Sequence, residues 1–305
     1  MHIIRYADHR TRAVHVGTLQ DGQVRPVEGV DSFAELLGLP LDQIRLLVEQ
    51  SAEEQSAQSV ADVLLLPPVD GLTEVWASGV TYERSMDARV EETSSQAIYT
   101  RVYAATRPEL FFKCPAWRVV TEDEPVAIRP DSTVTVPEPE LALVVNAGGE
   151  VVGYTVCNDM SSRDIEGENP LYIPQAKTYA GSCAIAVGVR PVWEVHNVGP
   201  LSIRLTVQRD GAVAFAGETR TADLHRPLLD LVDHLVRAID FPGGAVLSTG
   251  TGIVPDLDFT LLVGDRVDID IAEVGSLSNP VSTLERALGW PLDSLRDPFA
   301  RVEIR

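Results

Sequence analysis

Apolar and polar residues alternate from the start of the chain. HIIRYA and AVHVGTL each read as a short strand, Asp21-Gly22 has the composition of a two-residue hairpin turn, and QVRPVEG returns. The period then lengthens. Phe33, Leu36, Leu37, Ile44, Leu47 and Val48 recur at helical spacing, which predicts a helix over 32–50 interrupted near Pro40. The polar run SAEEQSAQS at 51–59 reads as a linker. Beyond Val60 short strands dominate, punctuated at Pro67-Pro68, Pro125, Pro130, Gly148-Gly149, Asp210-Gly211, Pro242-Gly243-Gly244 and Gly264-Asp265. One long helix is predicted among them, over 226–240. Pro227 suits its first turn, and Leu228, Leu231, Val232, Leu235 and Ile239 fall on one face. The whole pattern predicts an α+β chain, mostly β, with a small N-terminal α/β domain over 1–65 and a larger strand-rich domain over 66–305.

One hairpin concentrates acid. VPEPELALVV (136–145) and EVVGYTVCND (150–159) flank Gly148-Gly149, a pair that tolerates positive φ at both positions. A two-residue turn there pairs residues whose numbers sum to 297. Glu140 then faces Cys157 and Asp159 faces Glu138; directly opposed residues share a face, with Cβ atoms about 4.5–5.5 Å apart. Glu138 and Glu140 share that face through the strand period of two. Three converging carboxylates repel one another unless a cation sits among them. Oxygen-only donors suit Mg²⁺, with Mn²⁺ or Ca²⁺ as substitutes, better than zinc. Pro137 and Pro139 permit a plainer reading, a solvated edge strand. Asp159 in register with the glutamates tips the balance to a metal site.

The lysines point to the same region. Of 25 basic residues only Lys113, in ELFFKCP, and Lys177, in PQAKTY, are lysine. A chain that otherwise uses arginine keeps lysine where a compact charge that can trade a proton is needed.

Composition narrows the field. With 45% hydrophobic and 23% charged residues the 305-residue chain is that of an ordinary globular protein. The formal charge of −20 disfavours nucleic acid and anionic membrane surfaces as partners. No apolar run approaches the ~20 residues that cross a bilayer, and MHIIRYADHR lacks a signal peptide's apolar stretch, so a cytoplasmic protein is expected. Cys114, Cys157 and Cys183 show no CxxC or Cys/His spacing, which argues against structural zinc and a disulfide framework.

From about Trp76 to Asn279 the chain resembles the fumarylacetoacetate hydrolase superfamily. The resemblance rests on WASGVTYERS (76–85), ELFFKCP (109–115), PEPELALVV (137–145), VVGYTVCNDMSSRD (151–164), GETRTADL (217–224), LSTGTGIVP (247–255) and LLVGDRVDIDIAEVGSLSN (261–279). It implies a flattened β-roll core, making residues 66–305 the catalytic domain, and a divalent metal held by two glutamates and an aspartate, which fall on Glu138, Glu140 and Asp159. SRDIEGENPLYIPQAKTY (162–179) is similar to the branch that dehydrates 2-keto-3-deoxy-D-arabinonate to α-ketoglutarate semialdehyde in pentose breakdown. That branch implies a Mg²⁺-dependent enzyme acting on a small keto acid, and the superfamily implies a homodimer or homotetramer.

Dehydration needs a base for the C3 proton and an acid for the departing C4 hydroxyl. Lys177 is the expected base and Glu109 the expected acid. Lys113 is expected to stabilise substrate charge, Arg84 and Ser85 to bind the polyol or carboxylate end, Gln175 a hydroxyl, and Thr251, in TGTG, the substrate carboxylate. The superfamily's C–C hydrolases carry a histidine and a glutamate soon after the tyrosine of the first motif. Here residues Tyr82 to Ala88 contain no histidine, which counts against hydrolysis. The competing readings are an acylpyruvate or β-diketo acid hydrolase, an oxaloacetate decarboxylase, and a keto-acid-binding protein without turnover.

Overall fold

A computed structural model describes residues 1–53, 56–86, 96–256 and 258–304. The fold is strand-dominated α+β. Its larger sheet runs in the order Gln58–Ser59, Gln23–Pro26, Val14–Gln20, His2–Asp8, Gly188–Pro191, Val151–Asp159, Pro139–Val145, Ala245–Ser248, Glu74–Gly79 and Glu109–Pro115, with Val63–Leu66 and Cys183–Ile185 attached at its sides. A second sheet of five strands, built around Ser202–Arg209, Arg266–Ile271 and Gly275–Thr283, covers one face.

The N-terminal unit forms as its pattern predicts. Asp21 and Gly22 both adopt left-handed φ, 52° and 74°, as a tight hairpin turn requires. The helical stretch is two helices, Phe33–Leu37 and Leu41–Glu53, separated around Pro40. Ser32 caps the first by accepting from the Glu35 amide, while the Asp70 carboxylate accepts from the amides of Phe33 and Ala34. The run read as a linker is largely ordered instead. The second helix continues to Glu53, and Gln58–Ser59 pairs with Gln23–Pro26, so the polar composition marks an exposed helix end and a sheet edge. Residues 54 and 55 lie outside the described residues. His2–Asp8 pairs with Gly188–Pro191, and Val63–Leu66 pairs back onto His2–Asp8. The first 65 residues therefore share a sheet with the rest, and a boundary at 65 falls inside a strand.

The helix expected over 226–240 is shorter, Leu228–Leu235. The chain turns after Val236, so Ile239 is exposed and Phe241 supplies the next buried side chain.

The acidic hairpin lies at the centre. Leu141, Leu143, Tyr154 and Val156 pack on one face against Ile203, Leu205, Val207, Val267 and Ile269 of the second sheet. Ala142, Val144 and Cys157 pack on the other face against Phe33, Leu36, Ile44 and Val48. Burial on both faces, at about 1.5–3 kcal/mol for each large apolar side chain, fixes the hairpin rigidly. The edge-strand reading of Pro137 and Pro139 is thereby corrected. Pro139–Val145 is flanked on both sides, and the proline is tolerated because the neighbouring Ala245–Ser248 pairs only with residues 142–145.

The turn also differs from expectation, although the register does not. Asn146 and Glu150 close a three-residue loop in which only Gly149 has positive φ. That loop shifts the pairing by one residue, and a bulge beside Val144 and Val145 shifts it back, so Glu140 faces Cys157 as predicted. No helix among the described residues is long and apolar enough to cross a membrane.

Candidate active site

Antiparallel and parallel neighbours bring the chemistry to one end of the larger sheet. Glu138 and Glu140 lie at the start of Pro139–Val145 and Asp159 ends Val151–Asp159. Ser248 ends Ala245–Ser248, Gly79 ends Glu74–Gly79, and Glu109 opens Glu109–Pro115 directly opposite Gly79. The helices Arg163–Glu168 and Ile173–Lys177 close this end from one side.

All three predicted metal ligands are buried, and one oxygen from each lies within 4.8 Å of the others. The set contains no nitrogen or sulfur donor and stands on backbone that both cores hold fixed, which fits a hard divalent cation such as Mg²⁺. Lys177 Nζ donates to Glu138 Oε2 at 2.7 Å and to Asp159 Oδ2 at 3.0 Å. Arg163 Nη1 donates to Glu138 Oε1 at 3.1 Å. Glu140 Oε2 accepts from Ser248 Oγ at 2.6 Å and from the Gly250 amide at 2.7 Å. Gly250 has φ +91°, and a Cβ there would run into Thr81 Oγ1, so the TGTG turn needs glycine to bring its amide onto Glu140.

Lys113 is fully buried, paired with Asp159 and donating to the carbonyls of Met160 at 3.0 Å and Lys177 at 2.5 Å. A bulge opposite Val75 and Trp76 breaks the alternation of its strand, so Lys113 and Cys114 are both buried in succession. Glu138 and Asp159 are thus compensated by Lys113, Lys177 and Arg163 before any divalent ion is added.

A narrow cleft opens onto the cluster, lined by Ser85, Glu109, Phe111, Glu166, Ile173 and Thr251 among others, together with Glu138 and Lys177. The structure therefore brings Lys177, Glu109, Ser85 and Thr251 to one space. It does not bring Arg84, which is 44% exposed at its side chain and paired with Asp256 at 3.0 Å, or Gln175, which is exposed and offers its carbonyl to Arg129. Lys113 lies behind the acids rather than among the cleft-lining residues. Sequence reasoning missed Arg163, Glu166, Ser248 and Gly250. Arg163 and Glu166 carried a readable signal, two charged residues spaced i, i+3 between the metal motif and Lys177, and both are buried on one short helix.

Burial pushes the Glu140 carboxyl up to about 8, and the nearby Asp159 and Glu138 charges push the same way. Because this value is raised above the ordinary 4.5, the stability it contributes is present at low pH and is lost as pH rises through about 8 in the metal-free protein. The same proton must leave before the oxygen can coordinate. Apparent Mg²⁺ affinity is therefore expected to climb about tenfold per pH unit below that value and then level off. Calorimetric titrations across that range check it, and a flat profile would show that the Glu140 carboxyl is already ionised there.

A buried carboxylate triad with lysines against it, at the end of a two-sheet β core, defines a candidate centre for a hard divalent cation. The chain belongs to the fumarylacetoacetate hydrolase family: the family profile described as "Fumarylacetoacetate (FAA) hydrolase C-terminal" matches residues 74–282. It is 46% identical over 217 residues to a "Probable 2-keto-3-deoxyxylonate dehydratase" of Haloferax volcanii, covering 71% of this chain and 74% of that one. It is 41% identical over 226 residues to the "2-dehydro-3-deoxy-D-arabinonate dehydratase" of Saccharolobus solfataricus, covering 73% and 76%. Among solved structures, one of a 2-keto-3-deoxy-D-arabinonate dehydratase complexed with magnesium and 2,5-dioxopentanoate superposes with a TM-score of 0.76 at 32% identity, over 93% of this chain and 99% of that one.

Proposed function

We propose that this chain is a Mg²⁺-dependent dehydratase that converts a 2-keto-3-deoxypentonate to 2,5-dioxopentanoate, the semialdehyde of α-ketoglutarate. The observation that carries this reading is one cleft holding Lys177 against the acid cluster and Glu109 on the opposing strand, with no histidine among its lining residues. Glu138, Glu140 and Asp159 would hold the Mg²⁺, which when bound acts as a Lewis acid on the 2-keto group and so acidifies the C3 proton.

The chain's own residues supply the rest. Lys177, held by Glu138 and Asp159 at the floor of the cleft, takes the C3 proton. Glu109, packed against Gly79 where a larger residue would displace it, delivers a proton to the C4 hydroxyl, which departs as water. Such transfers contribute about 10²–10⁴-fold each. Ser85 and Thr251 present hydroxyls to the polar groups of the substrate, while Phe111 and Ile173 form apolar wall. A hydrolase would need a base to activate water, and the histidines, His2, His9, His15, His196, His225 and His234, are absent from the lining.

The reading includes a cytoplasmic setting, supported by three buried cysteines free of disulfides. It also includes self-association in pairs or pairs of pairs, supported by Leu288, Leu292 and Leu295, each more than half exposed near one another in sequence.

The purified protein, with Mg²⁺ and with EDTA, is to be incubated with 2-keto-3-deoxy-arabinonate, 2-keto-3-deoxy-xylonate, acetylpyruvate and oxaloacetate. Semialdehyde from a pentonate, abolished by EDTA and restored by Mg²⁺, is the expected result. Pyruvate from acetylpyruvate or oxaloacetate with both pentonates left intact would replace this reading with hydrolysis or decarboxylation.

A further inference from the structure

Removing the C3 proton and the C4 hydroxyl from a 4,5-dihydroxy-2-oxopentanoate does not yield an aldehyde. It leaves 5-hydroxy-2-oxopent-3-enoate, a conjugated enone. To become 2,5-dioxopentanoate the enone must lose a proton from C5. The C5–H electron pair then forms the C4=C5 bond, the C3=C4 pair shifts to C2=C3, and the keto oxygen takes the negative charge. Protons return at C3 and at C4, and the C5 hydroxyl gives up its proton as C5=O forms. Over the whole sequence protons leave C3, C5 and the C5 hydroxyl, and protons arrive at the departing hydroxide, C3 and C4. The balance closes with one water released and no oxidant or reductant. A cleft that completes this sequence needs a base at the C5 end as well as at C3.

We propose that Glu166 is that second base. The inference rests on the dehydratase reading above. Among the described residues, four titratable side chains line the cleft: Glu109, Glu138, Glu166 and Lys177. Glu138 is engaged by Arg163 and Lys177 within the acid cluster, and Lys177 and Glu109 serve the first elimination. Glu166 is the group the elimination leaves unused. It is 1% exposed, on the helix Arg163–Glu168, which packs directly against the helix bearing Lys177. A substrate whose C3 meets Lys177 extends its C5 end by two carbons, and Glu166 lines the same cleft from the neighbouring helix. A carboxylate has two oxygens and about four lone-pair sites, so a hydrogen bond elsewhere leaves it able to receive the C5 proton.

The test compares wild type, Glu166→Gln and Glu166→Asp, each with Mg²⁺ and 2-keto-3-deoxy-arabinonate in D₂O. Enone is followed by its ultraviolet absorbance, aldehyde by trapping, and deuterium by NMR. Wild type is expected to form semialdehyde labelled at C3 and C4. Glu166→Gln is expected to release enone, with semialdehyde formation slowed at least about 10²-fold, the low end of general-base effects. Glu166→Asp, which keeps the carboxylate, is expected to restore semialdehyde and to show a slowing with C5-deuterated substrate. Semialdehyde from Glu166→Gln at the wild-type rate, or loss of C3–deuterium exchange together with all product in both variants, overturns the role of Glu166 while the wild-type activity stands. Wild type that leaves the pentonate untouched overturns the dehydratase reading itself.

Discussion

Lys177→Met is expected to lower kcat by about 10³-fold while leaving Mg²⁺ binding intact or tighter. The side chain donates to two of the three acids, Glu138 at 2.7 Å and Asp159 at 3.0 Å, so removing it deletes a cation that competes with the metal for the same oxygens. Two buried carboxylates then lose part of their compensation. Breaking a buried pair by removing one partner costs about 3–5 kcal/mol, and here the cost falls on the metal-free protein, because a divalent ion can replace the lost charge. The variant should therefore melt well below wild type in EDTA and recover most of the difference in saturating Mg²⁺. Single-turnover assays, isothermal titration and melting curves with and without metal separate these effects. Weakened Mg²⁺ binding in this variant would mean that Lys177 positions the ligands and that the proton leaves C3 by another route.

The metal site was legible in the sequence because it is local. Glu138, Glu140 and Asp159 are joined by one hairpin, and a period of two with one register places them together. The register survives a turn of different length, since the bulge beside Val144 restores the pairing that the three-residue loop displaces. Lys113 was only half legible. Its rarity marked it out, but strict alternation would aim it with Phe111 and Pro115, and the bulge after Val75 sends it instead into the interior behind Asp159. Arg84 and Gln175 stand next to motifs in the chain, and nearness in sequence does not specify which side of a helix faces the cleft. Ser248 and Gly250 were hidden for the opposite reason. They meet Glu140 across a sequence separation of more than 100 residues, through pairing of Ala245–Ser248 with Pro139–Val145 that no local pattern announces.

Asp159→Asn is expected to abolish Mg²⁺ binding and turnover and, in addition, to destabilise the fold. Asp159 is the anionic partner of both lysines. Lys177 keeps Glu138, whereas the contacts of Lys113 other than Asp159 are two neutral carbonyls, and its side chain has no access to solvent. An asparagine at 159 leaves that ammonium buried without its counter-charge, a loss of about 3–5 kcal/mol against a typical domain stability of about 5–15 kcal/mol. A fall in melting temperature of about 10 °C is expected. The double variant Lys113→Met/Asp159→Asn distinguishes this cost from general damage, because removing both charges avoids the stranded ammonium. It should regain most of the stability and none of the metal affinity. If the double variant melts no higher than Asp159→Asn, the lysine is not the source of the loss. Retained Mg²⁺ binding in either variant would remove Asp159 from the ligand set, and with it the assignment of a three-carboxylate metal centre.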